Sequence, residues 1–222
     1  MSNTVATNTE TANTETTNTK TTTAKASRWT ARYIAGVAML SAVAFILQYI
    51  EIAIPMIMPG FIKFDFSDLP ALIGAFAYGP LAGILIEFIK NLIHCAVSQS
   101  ATVGELSNFI LGAVFTGCAG LIYKKNKTKK MAAIGAVAGA VIMGLISIPS
   151  NYFVVYPFYY KAYMPEEVVL GMYQAILPGV KSVLQCLFVF NLPFTIVKGL
   201  ISAGITMLIY KPLSQVLKGR NQ

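Results

Sequence analysis

The sequence predicts an all-α integral membrane protein of six transmembrane helices. Both termini are expected to be cytoplasmic, with an external loop dipping into the bundle. Three observations predict this. Of 222 residues, 55% are hydrophobic and only 12% charged, with a mean hydropathy of +0.63, whereas a soluble domain carries roughly a quarter charged residues. Most of the charges lie between long apolar runs rather than inside them. The Lys and Arg residues gather in three clusters that six spans place on one side of the membrane, as the positive-inside rule requires.

Residues 1–27, MSNTVATNTETANTETTNTKTTTAKAS, differ in kind from the rest. This Thr/Asn-rich tail has almost no bulky apolar side chain and cannot bury enough surface to offset its ordering entropy. It is expected to be disordered. It contains no apolar core or cleavage pattern of a signal peptide. The membrane-embedded domain is expected over 28–217.

A span needs about 20 apolar residues. Tyr33 to Ala53, Val103 to Tyr123, Met131 to Tyr152 and Leu192 to Tyr210 meet that requirement. Leu69 to Ser98 is too long for one span and contains Gly79-Pro80, which breaks helix. Read as two helices, 69–78 and 80–98, it places all three basic clusters together. These are Lys20, Lys25, Arg28 and Arg32 before the first span; Lys124, Lys125, Lys127, Lys129 and Lys130; and Lys211, Lys218 and Arg220 after the last. Val168 to Phe190 is also fairly apolar but contains Pro178, Lys181 and Gln185. It is read as an external helix or loop on the bundle mouth.

The second helix, LPALIGAFAY, is about 15 Å long at 1.5 Å per residue, half a bilayer. The preceding PGFIKFDFSD must supply the missing depth, yet Phe61, Lys63, Asp65 and Ser67 cannot all face lipid. Irregular backbone is tolerated there only where it lines a protein cavity. The first loop is therefore expected to form one wall of a pocket.

Three helices carry polar stripes at helical spacing: Asn191, Thr195, Lys198 and Ser202; Glu87, Lys90, Asn91 and His94; Ser147 and Asn151. Intramembrane ionisable groups face the bundle interior or a wet cavity. For Glu87, Lys90, Asn91 and His94, a structural network fits the spacing as well as a ligand site does. Lys198 has no anion on its own helix, so either Glu87 reaches it or a ligand does, and the ligand is favoured. Aromatic residues crowd the same end: Phe64, Phe66, Tyr152, Phe153, Tyr156, Phe158, Tyr159 and Tyr160. Some serve an interfacial belt; an aromatic pocket with a few aimed polar groups also suits a flat heteroaromatic ligand. Asn offers donor and acceptor side by side, matching an amide or imide edge. Cys95, Cys118, Cys186 and the lone histidine have no metal-ligand spacing, and no GxxxxGK[ST] loop is present to hold nucleotide phosphates. Ala31, Ala35, Ala38 and Ala42 form a small-residue face on the first helix, fit either for a partner or for packing within the monomer.

KFDFSDLPALIGAFAYGPLAGILIEFIKNLI, IPSNY and PFTIVKG together resemble the riboflavin-specific S components of energy-coupling factor (ECF) vitamin transporters. The similarity covers about residues 30–215. It implies a six-helix substrate-binding subunit of a bacterial cell membrane, not an enzyme. Such a subunit takes up riboflavin, or FMN, as transported ligand rather than cofactor. It associates with a transmembrane coupling protein and two cytoplasmic ABC-type ATPases. It further implies that Asn151 and Lys198 contact the flavin, that the loop around Ile62, Lys63, Phe64 and Asp65 closes over it, and that the alanine face docks the coupling protein. Tyr156 and Asn191 join the expected set. Thr195 departs from the family's PFNxxKG pattern, which bears on the choice between riboflavin and its phosphorylated forms. The alternatives are an S component for another vitamin and a stand-alone secondary transporter using Glu87 and His94. A short chain without doubled hydropathy speaks against the latter.

Overall fold

The computed structural model describes residues 30–98 and 100–218, with side chains as far as Ile209. The tail over 1–27 lies outside the described residues. Thr30 caps the first helix, α1 (Ala31–Tyr49), by accepting from Tyr33 N at 3.2 Å. Its buried face is Gly36, Val37, Leu40, Ser41, Ala44 and Gln48, while Ala31, Ala35, Ala38 and Ala42 are all exposed on the other side. The sequence reading carried this helix to Ala53. Instead the chain leaves the helix after Tyr49, and Ile52–Ala53 (β1) pairs antiparallel with Lys63–Phe64 (β2). Two β-branched isoleucines before Pro55 favour extended backbone over another helical turn.

The helix α2 (Asp68–Tyr78) is short and buried over most of its length. Gly79 ends it at φ +104°, where a side chain would be strained, and Pro80 opens α3 (Pro80–His94), its missing N–H costing nothing in the first turn. A 3₁₀ turn (Cys95–Val97) and a loop with left-handed Ala101 and Thr102 lead to α4 (Val103–Lys125). Thr128 then caps α5 (Lys129–Ser150).

The upper ends of the last two long helices are the part that periodicity did not show. From Ser150 the chain continues through a π turn (Asn151–Val155) into α6 (Tyr156–Ala162). After α7 (Glu166–Gln174), Ser182 caps α8 (Val183–Cys186), and a second π turn (Leu187–Asn191) runs into α9 (Leu192–Lys218). The segment 168–190 therefore divides. Its first part is α7, which packs on the mouth, and its last part extends the final long helix. Pro178 and Lys181 lie before the Ser182 cap, so they do not interrupt it.

Among the described residues, five helices are long and apolar enough to cross a membrane, Ala31–Tyr49, Pro80–Val97, Val103–Lys125, Lys129–Ala162 and Val183–Ile209, and α2 is a shorter apolar helix. In the bundle α2 touches α1, α3, α4 and α9, while α3 packs on α4, α4 on α5, and α5 on α9. The short helix thus sits at the centre and leaves a space beyond its N-terminus. A core of Val155, Tyr156, Tyr159, Val169, Tyr173, Val180 and Leu187 surrounds that mouth.

Candidate functional site

A cavity of about 370 Å³ occupies this space, within the usual range for small-molecule sites. Asp68, at the start of α2, lies on its lining, with Gln48 from α1, His94 from α3, Glu105, Ser107, Asn108 and Leu111 from α4, and Asn191, Thr195 and Lys198 from the final helix. Gly60, Phe61, Ile62, Lys63 and Asp65 of the first loop also line it, as do Asn151, Tyr156, Tyr159, Tyr163, Met164, Met172 and Phe194.

Lys198 answers to the loop. Its Nζ donates to Asp65 Oδ2 at 2.8 Å and lies 3.6 Å from Asp68 Oδ2. The anion is neither Glu87 nor a side chain of its own helix. Asp65 is otherwise fully engaged: Oδ1 accepts from Ser67 N (2.8 Å) and Ser67 Oγ (2.5 Å), and Oδ2 also from Asn108 Nδ2 at 3.5 Å. Burial pushes this loop carboxyl up, but the charges of Lys198 and Lys90 outweigh it and hold the group below its ordinary range, ionised.

Beneath the cavity lies a second, fully buried layer. Lys90 donates to Ser67 Oγ (2.5 Å) and Asp68 Oδ1 (2.9 Å), and its Nζ is 2.8 Å from Glu87 Oε2. Gly112 of α4 permits this, because a Cβ there would overlap the Glu87 carboxylate. Asn91 donates to Glu87 O at 2.8 Å and accepts from Gln48 Nε2 at 2.9 Å. Glu87, Lys90 and Asn91 are thus a structural support, the network that their spacing allowed. Phe64 likewise packs against Phe66 and Phe194 rather than lining the cavity.

The π turns place the two asparagines. A π turn adds one residue to a helical turn and so shifts the facing of the side chains around it. Asn151 lies at the first, where its Oδ1 accepts from Ser107 Oγ at 3.2 Å. Asn191 lies at the second, where Tyr173 OH donates to its Oδ1 at 2.6 Å and its Nδ2 donates to Tyr156 OH at 3.4 Å. The two tyrosine hydroxyls are 2.6 Å apart, closing the ring. Asn191 thus clamps α7 to the final helix.

Of the residues the sequence singled out for binding, Ile62, Lys63, Asp65, Asn151, Tyr156, Asn191, Thr195 and Lys198 line the cavity; Phe64, Glu87, Lys90 and Asn91 do not. The sequence reading placed Phe61 in the loop expected to wall a pocket and passed over Gln48, Glu51, Glu105, Ser107 and Asn108 as site residues. Glu105 stood three residues into an apolar run, the one signal that marks it. The others have none.

The ECF transporter substrate-specific component model matches residues 32–210 of this chain. The chain belongs to that family. As an S component it is a multi-pass membrane protein, a transport subunit rather than an enzyme, and it works with an ECF module. It is 32% identical over 182 residues to riboflavin transporter RibU of Staphylococcus aureus (strain TCH60), spanning 82% of this chain and 90% of that one. It is 32% identical over 178 residues to riboflavin transporter FmnP of Bacillus subtilis (strain 168), spanning 78% and 87%. A solved structure of the S component of a bacterial ECF transporter superposes with TM-score 0.65 at 32% identity, covering 85% of this chain and 98% of that one.

Proposed function

We propose that this S component captures riboflavin in the cavity from the external side, for ATP-driven uptake by its ECF module. The observation that carries this is the wall formed by Asn151, Thr195 and Lys198 in a cavity whose lining also includes Phe61, Tyr156, Tyr159 and Phe194. A flavin presents an imide edge, two carbonyls flanking an N–H. Asn151 supplies the paired acceptor and donor, and Lys198 keeps N–H donors beyond the one given to Asp65. Aromatic walls suit the ring faces. The names of the S. aureus and B. subtilis relatives support the choice of riboflavin. Asn191 acts in this reading by holding α7 over the mouth. Asp65 holds Lys198 in place, so that Ile62 to Asp65 serve as the cover.

The topology that fits is six spans with α2 counted as the second, both termini and loop 124–130 cytoplasmic, and the cavity open to the outside. The domain then runs over 28–217. The partners in this reading are a transmembrane coupling protein and two ABC-type ATPases. The exposed stripe of Ala31, Ala35, Ala38 and Ala42 docks the coupling protein, since small residues let helices approach closely in lipid. An absorption spectrum of the detergent-purified protein tests the ligand. Flavin bands that survive desalting are expected, and a colourless protein that leaves riboflavin fluorescence unquenched overturns the reading.

A further inference from the structure

The first loop is more apolar than its place on the cavity requires. Between Tyr49 and Ile62 the only charged side chain is Glu51, and it is ion-paired to Lys63 across the β1–β2 ribbon. Met56, at the tip, is 87% exposed, and Tyr49, Ile50, Ile52 and Ile57 are each more than half exposed. Surfaces in water rarely gather large apolar groups so closely, and where they do the patch has a partner.

The exposure is not that of a loose segment. The ribbon holds the base of the loop, and Ile57 N and Met58 N both donate to Ile54 O, at 3.0 and 2.9 Å, closing a turn. Met58 is buried in the mouth core with Val103, Tyr156 and Tyr159. Phe61 packs on Tyr159 and Tyr173, with ring centroids 5.5 and 6.1 Å apart. One edge of the loop thus belongs to the cavity mouth. Met56 and Ile57, on the other edge, take no part in the cavity lining.

What lies against that edge follows from α1. Its 19 residues rise about 28 Å at 1.5 Å each, close to the thickness of a hydrocarbon core. Ile34, Met39, Val43 and Ile46 are exposed along this membrane-spanning helix and face lipid. Tyr49 ends it at the level where aromatic belts sit. The apolar exposure does not stop there but runs on through Ile50 and Ile52 to Met56 and Ile57. This holds whichever way the bundle faces. Water-facing segments of the same mouth are different, with Lys161, Glu166, Glu167 and Lys181 exposed. The backbone of the tip also suits a region poor in water: Pro55 and Pro59 have no N–H, and Ile57 and Met58 donate theirs within the turn.

We propose that the tip of the first loop, Met56 and Ile57 with Ile50 and Ile52, is inserted into the bilayer surface on the side of the cavity mouth. Its partner is the boundary between lipid headgroups and acyl chains. The loop is then moored on both edges, to the mouth core by Met58 and Phe61 and to lipid by Met56 and Ile57. The mooring does not depend on which ligand the cavity takes.

Nitroxide accessibility tests this. Full-length protein without the native cysteines carries Met56→Cys, Ile57→Cys or, as control in the charged 124–130 loop, Lys127→Cys. Each variant is spin-labelled and reconstituted in vesicles of phosphatidylcholine and phosphatidylglycerol. Oxygen concentrates among acyl chains and a neutral nickel chelate in water, so the two relaxation effects report depth. Oxygen should relax the label more strongly than the chelate at Met56→Cys and Ile57→Cys, and the order should reverse at Lys127→Cys. A chelate effect that exceeds that of oxygen at both tip positions overturns the insertion. So does a label that neither reagent reaches at either position, since a protein surface, a second copy of this chain included, then covers the tip in place of lipid.

Discussion

Replacing Lys198 by Met separates two roles of one ammonium group. Its side chain is 13% exposed and that of Asp65 6%, so the ion pair is largely withdrawn from water. Methionine keeps the length and apolar stem but leaves Asp65 with only Ser67 and Asn108 as donors, and Asp68 with Lys90. Breaking a buried pair by removing one partner costs about 3–5 kcal/mol. The lower end applies here, since Lys90 remains nearby and Asp65 keeps its serine contacts. Lys198→Met should therefore lose about 3 kcal/mol of stability, seen as a clear fall in the thermal unfolding midpoint of the detergent-solubilised protein. Lys198→Met with Asp65→Asn removes both charges and should recover to within about 1 kcal/mol of wild type. Riboflavin binding should not recover in the double variant: loss of a charged hydrogen bond to the flavin costs about 2 kcal/mol, roughly thirtyfold in Kd. A Lys198→Met protein as stable as wild type refutes the ion-pair account. A double variant that binds as tightly as wild type refutes the ligand contact.

Gly112→Ala should destabilise the protein by about 1–3 kcal/mol, because the added methyl overlaps Glu87; a thermal unfolding midpoint unchanged from wild type would contradict this close approach. Ala35→Leu should leave riboflavin binding by the purified protein intact and abolish uptake by cells, since the residue faces away from the bundle; a parallel fall in binding would place the stripe in monomer packing. Lys127→Cys, in a background without the native cysteines, should resist membrane-impermeant thiol reagents applied from outside, and ready labelling would contradict six spans with a cytoplasmic 124–130 loop.

Much of the fold was legible because lipid imposes strict lengths. The Gly79-Pro80 break, the half-length second helix and a first loop forced to line a cavity all follow from apolar run length and backbone satisfaction. Lys198 stood out for the same reason. Its partner did not: Asp65 is 133 residues away in the chain, and nothing in local spacing connects a loop aspartate to a lysine on the final helix. The π turns were equally hidden, because one extra residue in a turn leaves the apolar pattern nearly unchanged while re-aiming Asn151 and Asn191. Gln48 was missed because one glutamine near the end of an apolar helix carries no period, and Glu105 because it stands with Ser107 and Asn108 in the first turns of α4, where polar residues are ordinary at a helix end. The β ribbon, with one antiparallel pair of two-residue strands, is too short for any alternation to register.

The central claim is that the cavity beyond α2 is where riboflavin binds. Titrating ligand-free protein into riboflavin and following quenching of flavin fluorescence tests it, with wild type beside Leu111→Trp, whose indole would intrude into the cavity from α4. The wild type should saturate at one flavin per chain, and folded Leu111→Trp should leave the fluorescence unquenched. Normal saturation by Leu111→Trp, or no quenching by the wild type, would contradict the account.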